Sequence, residues 1–255
     1  MPLTLVTIHC LQDNYAYLIH DAATGDTALI DVPEAAPILA ALSERGWRLG
    51  QILLTHHHSD HIQGVAELVA ATGAKVLGAA ADAHRLPVLD RTLAEGDKVT
   101  VGTEEGHVLD VSGHTLGHIA FVFPASALAF TADSLMAGGC GRLFEGKPAV
   151  MWGSLSKLAA LPVETLICSG HEYTASNLRF AATIEPESPA LLARIARVAV
   201  ARVEGRATVP SLLSEELATN PFLRALLPHV KDAVGLSGAA DAEVFAEIRA
   251  RKDKF

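Results

Sequence analysis

The chain has 255 residues, half of them apolar and 19% charged, with a formal net charge of −9 at pH 7. That composition supplies a sizeable core and excludes a disordered chain, and the length suits one large domain or a medium domain with a smaller partner. The acidity argues against a protein that wraps nucleic acid or lies on an anionic membrane.

In chain order, short apolar runs rich in β-branched residues and bounded by Gly, Asp or Pro predict strands at Leu3–His9, Tyr15–His20, Ala28–Val32, Gln51–Thr55, Lys75–Gly78, Lys98–Val101, His107–Val111, Ile119–Phe123, Leu128–Thr131 and Thr165–Cys168. Helical spacing of apolar residues interrupts them at Glu34–Arg45, His61–Ala71 and Ser154–Ala160. Many strands with few helices predict two sheets back to back, with helices outside. After Tyr173 the texture turns helical, at Thr174–Ile184, Pro189–Val203 and Ala242–Arg251, so a boundary is expected near residue 172. No stretch approaches the roughly 18 apolar residues of a membrane span. The opening MPLTLVTIHC lacks the basic start of a signal peptide. The expected compartment is the cytoplasm and the expected state a monomer. Cys10, Cys140 and Cys168 are odd in number and widely spaced, which argues against a disulfide scaffold or a structural zinc module.

The chemistry concentrates at Ile52-Leu53-Leu54-Thr55-His56-His57-His58-Ser59-Asp60-His61, where an apolar strand runs into an H-x-H-x-D-H cluster and then a helix. Alternation at a strand end sends His56 and His58 one way and His57 the other. Asp60 and His61, in the first helical turn, can aim back at the same point. Packing does not account for four such groups in six residues, because burying them unpaired would be costly. Imidazole and carboxylate donors suit zinc, iron or manganese. Three more donors stand just past apolar strands: His114 in SGHTLGH, Asp133, and His171 in SGHEY. Seven donors exceed one tetrahedral ion but suit two divalent ions bridged by Asp133.

With H-x-H-x-D-H, G-H-T-x-G-H, the isolated Asp and the late His, the sequence resembles the metallo-β-lactamase superfamily. The resemblance implies an α+β protein, an αβ/βα sandwich over residues 1–172 with an added helical domain at 173–255. It also implies that His56, His58 and His114 hold one metal and Asp60, His61 and His171 the other. Further segments, LQDNY, GGCGRLFEG, GHEYT, NPFLR and the tail RARKDKF, are similar to those of glyoxalase II, the hydroxyacylglutathione hydrolase family. That likeness implies hydrolysis of S-D-lactoylglutathione by a metal-bridged hydroxide, with Asp60 and Asp133 as the catalytic carboxylates and zinc as the expected metal. It places the glutathione thioester near Arg142, Phe144, Tyr173, Arg249 and Lys252. Arg142 stands where Lys is frequent, and Phe144 where some members carry Tyr. A persulfide dioxygenase and a non-catalytic metal-binding protein are the alternatives. The tail, net +3 on an acidic chain, offers a local site for an anion.

Overall fold

The computed structural model describes residues 2–255. The chain divides into two compact units, one running to Val111 and including Thr115–Thr131, the other comprising Ser112–His114 and Ala132–Phe255.

The first unit opens with β1 (Thr4–Cys10), β2 (Asn14–His20) and β3 (Asp26–Ile30), paired antiparallel. α1 (Ala35–Arg45) leads into β4 (Arg48–Leu53), which runs parallel to β3. α2 (Ser59–Ile62) and α3 (Val65–Thr72) lead into β5 (Lys75–Ala79), and β6 (Arg91–Leu93) extends the parallel part. α1 turns Ala35, Ile38 and Leu42 inward and α3 turns Val65 and Leu68, where they meet Ile8, Leu18, Leu29, Ile52 and Val76. Each Ile, Leu or Val among them contributes about 1.5–3 kcal/mol on full burial. Gly46 and Gly73 end the two helices in the left-handed conformation that favours glycine. A second sheet is an antiparallel meander of β7 (Lys98–Val101), β8 (Glu104–Asp110), β9 (Ile119–Phe123) and β10 (Leu128–Ala132). Tyr17 of β2 meets Phe130 of β10 across the two sheets, ring centroids 5.6 Å apart. β2 is buried along its whole length, as expected of a strand covered on both faces.

The single helix expected at His61–Ala71 is broken at Gln63–Gly64. The Val32 amide donates to the His61 carbonyl at 2.7 Å, and the Gly64 amide donates to Val32 O at 3.0 Å. A Cβ at position 64 would stand 2.9 Å from both Ala35 N and Val32 Cγ1, so only glycine lets the chain dock there.

In the second unit β11 (Leu135–Met136) and β12 (Gly139–Cys140) form a small hairpin. α4 (Pro148–Ala159), β13 (Leu166–Ser169), α5 (Thr174–Ile184), α6 (Pro189–Val203), β14 (Ser211–Leu212), α7 (Leu213–Thr219), α8 (Pro228–Ala233) and α9 (Asp241–Lys254) follow, with β13 and β14 antiparallel. Ser188 caps α6 and Pro189 occupies its first turn. α4 starts six residues before the expected Ser154, again at a proline. Ser154 is no cap: its hydroxyl donates to Ser112 O at 2.6 Å and pins the segment carrying His114 to α4. Leu178 and Ala181 of α5 pack against Leu191 and Val198 of α6. Phe222 joins Phe180 of α5 to Phe245 of α9, at centroid distances of 6.0 and 5.8 Å. β14, α7 and α8 lie where sequence periodicity predicts no element, because two to seven residues are too few to display a repeat.

Candidate metal centre

In the first unit β4 stops at Leu53, and Leu54–His58 run on outside the sheet to the start of α2. His56 and His61 are fully buried, and His56 Nε2 lies 3.2 Å from His58 Nδ1. One residue missed in the sequence organises them. Asp31, just past β3, accepts from the Thr55 amide (2.9 Å), the Thr55 hydroxyl (2.8 Å) and His61 Nδ1 (2.8 Å). A carboxylate only accepts, so the His61 proton sits on Nδ1. The Thr55 hydroxyl, having given its hydrogen to Asp31, accepts from His56 Nδ1 at 3.0 Å, which places that proton too. Both Nε2 atoms therefore present lone pairs. Asp31 does this at φ 57°, a strained conformation tolerated best by Gly, Asn and Asp. The sequence hid it, because the strand expected at Ala28–Val32 runs through Asp31, whereas β3 stops at Ile30.

Asn14 was also missed as a contributor. Its amide donates to Asp60 O and Asp60 Oδ2, both at 3.0 Å, and fixes that carboxylate. His57 turns the other way, its Nδ1 3.0 Å from Asp82 Oδ2. His118 stacks on His56 with centroids 4.6 Å apart and planes 11° from parallel.

In the second unit His114, Asp133 and His171 converge. His114 Nδ1 donates to the Arg142 carbonyl at 2.8 Å, so its Nε2 also presents a lone pair. That Nε2 and His171 Nε2 each lie 3.4 Å from Asp133 Oδ2. Asp133 follows Ala132, which holds φ 40°, and the Gly170 amide donates to Ala132 O at 3.1 Å, bringing His171 alongside. Gly141 is obligatory, since a Cβ there would stand 2.0 Å from Asp133 O.

The donors fit divalent ions. A separation of 3.4 Å is long for a direct hydrogen bond. It is what two donors, each about 2.1 Å from one tetrahedral ion, would show. Imidazole lone pairs and carboxylate oxygens crowded in this way repel one another until a cation lies among them.

The family model for the metallo-β-lactamase superfamily matches residues 12–171, and that for the hydroxyacylglutathione hydrolase C-terminus matches residues 172–255. A hydroxyacylglutathione hydrolase from Cereibacter sphaeroides is 70% identical over 255 residues, all of both chains. The chain belongs to the hydroxyacylglutathione hydrolase family. Among solved structures, the B3 metallo-β-lactamase BLEG-1 shares the fold, with a TM-score of 0.66 at 20% identity over 87% of this chain and 99% of that one. The protein TTHA1623, solved in a di-iron-bound form, has a TM-score of 0.58 at 33% identity over 66% of this chain and 91% of its own.

The remaining residues that likeness to the hydroxyacylglutathione hydrolases singles out are all in the second unit. Phe144 is 61% exposed and meets His114 edge-on at 5.3 Å. Tyr173 stacks on His171, centroids 4.7 Å apart and planes at 8°. Arg249 is buried. It donates to Cys140 O at 3.0 Å, grips Asp253 Oδ1 through Nε (3.1 Å) and Nη2 (2.9 Å), and lies over Phe222. Arg142 Nε is 3.4 Å from the same Asp253 oxygen. Lys252 is half-buried over the rings of Phe180 and Phe255, with burial and the nearby Arg249 and Arg179 lowering its pKa.

The cysteines are unsuited to nucleophilic work. Burial pushes the Cys10 thiol up to about 12 and Cys140 to about 11, and it raises Cys168 as well. None carries appreciable thiolate at neutral pH. A variant with all three changed to Ala should keep its turnover within about threefold, under ~1 kcal/mol of barrier. Loss of several orders of magnitude with the metals retained would restore a thiol mechanism.

Proposed function

We propose that this protein hydrolyses 2-hydroxyacyl glutathione thioesters, chiefly S-D-lactoylglutathione, to the hydroxy acid and glutathione, the second step of methylglyoxal detoxification. The observation that carries this reading is similarity at 70% identity along the whole chain, C-terminal helices included, to a protein named for that reaction. The alternative of oxygen chemistry draws no support from the full-length relatives, which carry hydrolase names at 56–70% identity.

In this reading His56, His58 and His114 hold one divalent ion and Asp60, His61 and His171 a second, with Asp133 shared. Zinc is the first expectation, and the donor set also accepts iron or manganese. Such ions supply a water acidified towards a pKa of about 7 and positive charge for a developing oxyanion. The protein's own groups do the rest. Asp31 and Arg142 O hold the imidazole protons away from the donor nitrogens. Asp60, steadied by Asn14, offers an acceptor that orients the attacking water. The leaving thiol has a pKa of about 8.5, so no strong acid need protonate it.

Residues 173–255 bind the glutathione arm in this reading through Tyr173, Arg249 and Lys252, with Arg142 and Phe144 of the segment after β12 as further contacts. Lys252 is a cation crowded by cations, an environment that an incoming carboxylate relieves. Lys252→Ala removes a charge-assisted hydrogen bond of about 1.5–3 kcal/mol, so KM should rise about tenfold or more. Turnover should fall much less, because that contact is shared by ground and transition states. An unchanged KM would remove Lys252 from the substrate site. Arg249→Ala is the poorer probe, since it also cuts the Cys140 anchor. The overall reading is tested by thioester loss on adding S-D-lactoylglutathione, with metal analysis of the same sample. A sample carrying two metals and showing no thioester loss would overturn it.

A further inference from the structure

Glu216 of α7 is fully buried. Its Oε2 accepts from the Gly138 amide at 2.7 Å and Asn220 Nδ2 at 3.1 Å, and its Oε1 from Ser211 Oγ at 2.7 Å and from the guanidinium of Arg194. Four donors saturate a carboxylate, which must therefore be ionised. Arg194 is itself buried and also donates to Thr219 Oγ1 at 2.7 Å. An ion pair this deep is weak evidence for stability, because desolvation offsets the attraction. Its bond to a backbone amide 78 residues away calls for another account.

Gly138 is the turn of the β11–β12 hairpin and holds φ 68°. Asn220 grips the same hairpin by its carbonyls, donating to Met136 O at 3.2 Å and Gly139 O at 2.9 Å. The hairpin begins two residues after Asp133 and ends two before Arg142. At its base the Gly141 amide donates to Ser134 O at 3.2 Å, and Arg142 O receives His114 Nδ1. The same short loop thus carries a carboxylate donor and the acceptor that sets an imidazole donor.

We propose that Glu216 is a positioning residue for the metal centre: by holding the Gly138 amide it sets the hairpin, and through Arg142 O the ring of His114. The proposal rests on the metal reading above. Glu216→Gln keeps the volume but sets an amide N–H against groups that are themselves donors. Zinc-loaded protein is titrated with a chromogenic zinc chelator, and kcat and KM are measured at saturating zinc. The variant should hold zinc about 10–100-fold more weakly, the range for losing an outer partner of a metal ligand, and excess zinc should restore most of kcat. Thr219→Val touches Arg194 but not the hairpin and should keep the parent affinity. A folded Glu216→Gln with parent zinc affinity overturns the proposal whatever its melting temperature. Should that variant fail to fold, Asn220→Ala loosens the same hairpin from its carbonyl side, and parent affinity there would overturn it equally. A parent protein that held no zinc, iron or manganese would sink the metal reading itself, and the proposal with it.

Discussion

Asp133→Ala should lose both metals and the activity together. Asp133 Oδ2 stands 3.4 Å from the Nε2 atoms of His114 and His171, with its side chain 8% exposed. Those two imidazoles belong to different ions in the proposed assignment, so one carboxylate serves both. Removing it takes a negative charge from between two lone pairs and leaves each ion a donor short. Losing a mere outer partner costs about 10–100-fold in affinity or activity, and a shared ligand should exceed that range. Metal analysis and thioester turnover on the same preparation give the answer. Asp133→Asn, which keeps an oxygen donor but not the charge, should fall between the two. A Asp133→Ala protein with two metals and the parent rate would end the bridging assignment.

Asp31→Asn should be the most damaging change at a residue that touches no metal. Asparagine fits the site and tolerates the φ of 57°, so neither shape nor backbone strain changes much. Only the hydrogen-bond pattern changes. Asp31 accepts three bonds, from the Thr55 amide, the Thr55 hydroxyl and His61 Nδ1, and an Asn side chain cannot accept them all. With its NH2 towards His61, Asn would move the ring proton from Nδ1 to Nε2, which can then no longer bind a metal. With its NH2 in the place of Oδ1, Asn would set a donor against the Thr55 amide and push away the residue whose hydroxyl carries the relay to His56. Either way, metal affinity should drop by about 10–100-fold, with far-UV circular dichroism unchanged. Chelator competition measures it. Parent affinity in a folded variant would show that Asp31 serves the fold alone.

These two residues also mark how far the sequence carries. The cluster from His56 to His61 is legible because its members are close in sequence and share a strand end, so alternation and one helical turn predict their directions. Asp133 and His171 are legible by type and by their place after apolar strands. Asp31 is not, because the run Ala28–Val32 reads as a strand that contains it, and nothing local says that His61, 30 residues on, will turn to it. Asn14 lies 46 residues from Asp60, and the amide of LQDNY has no local reason to be a ligand's anchor. Glu216 had no signal at all: an acid in a short amphipathic stretch is ordinarily a solvated face, and only the packing of α7 buries it.

The sequence by itself therefore determined the types of the longer elements and offered the candidate donor set, because residue chemistry and short-range periodicity are local properties. Only the tertiary structure decided how protons are distributed over the imidazoles, where the His61–Ala71 helix breaks, and which side chains hold the β11–β12 hairpin. Each of these depends on a partner tens of residues away. A hydrogen bond requires donor and acceptor to meet within about 3 Å, and the chain brings such distant groups together only once its apolar faces have packed.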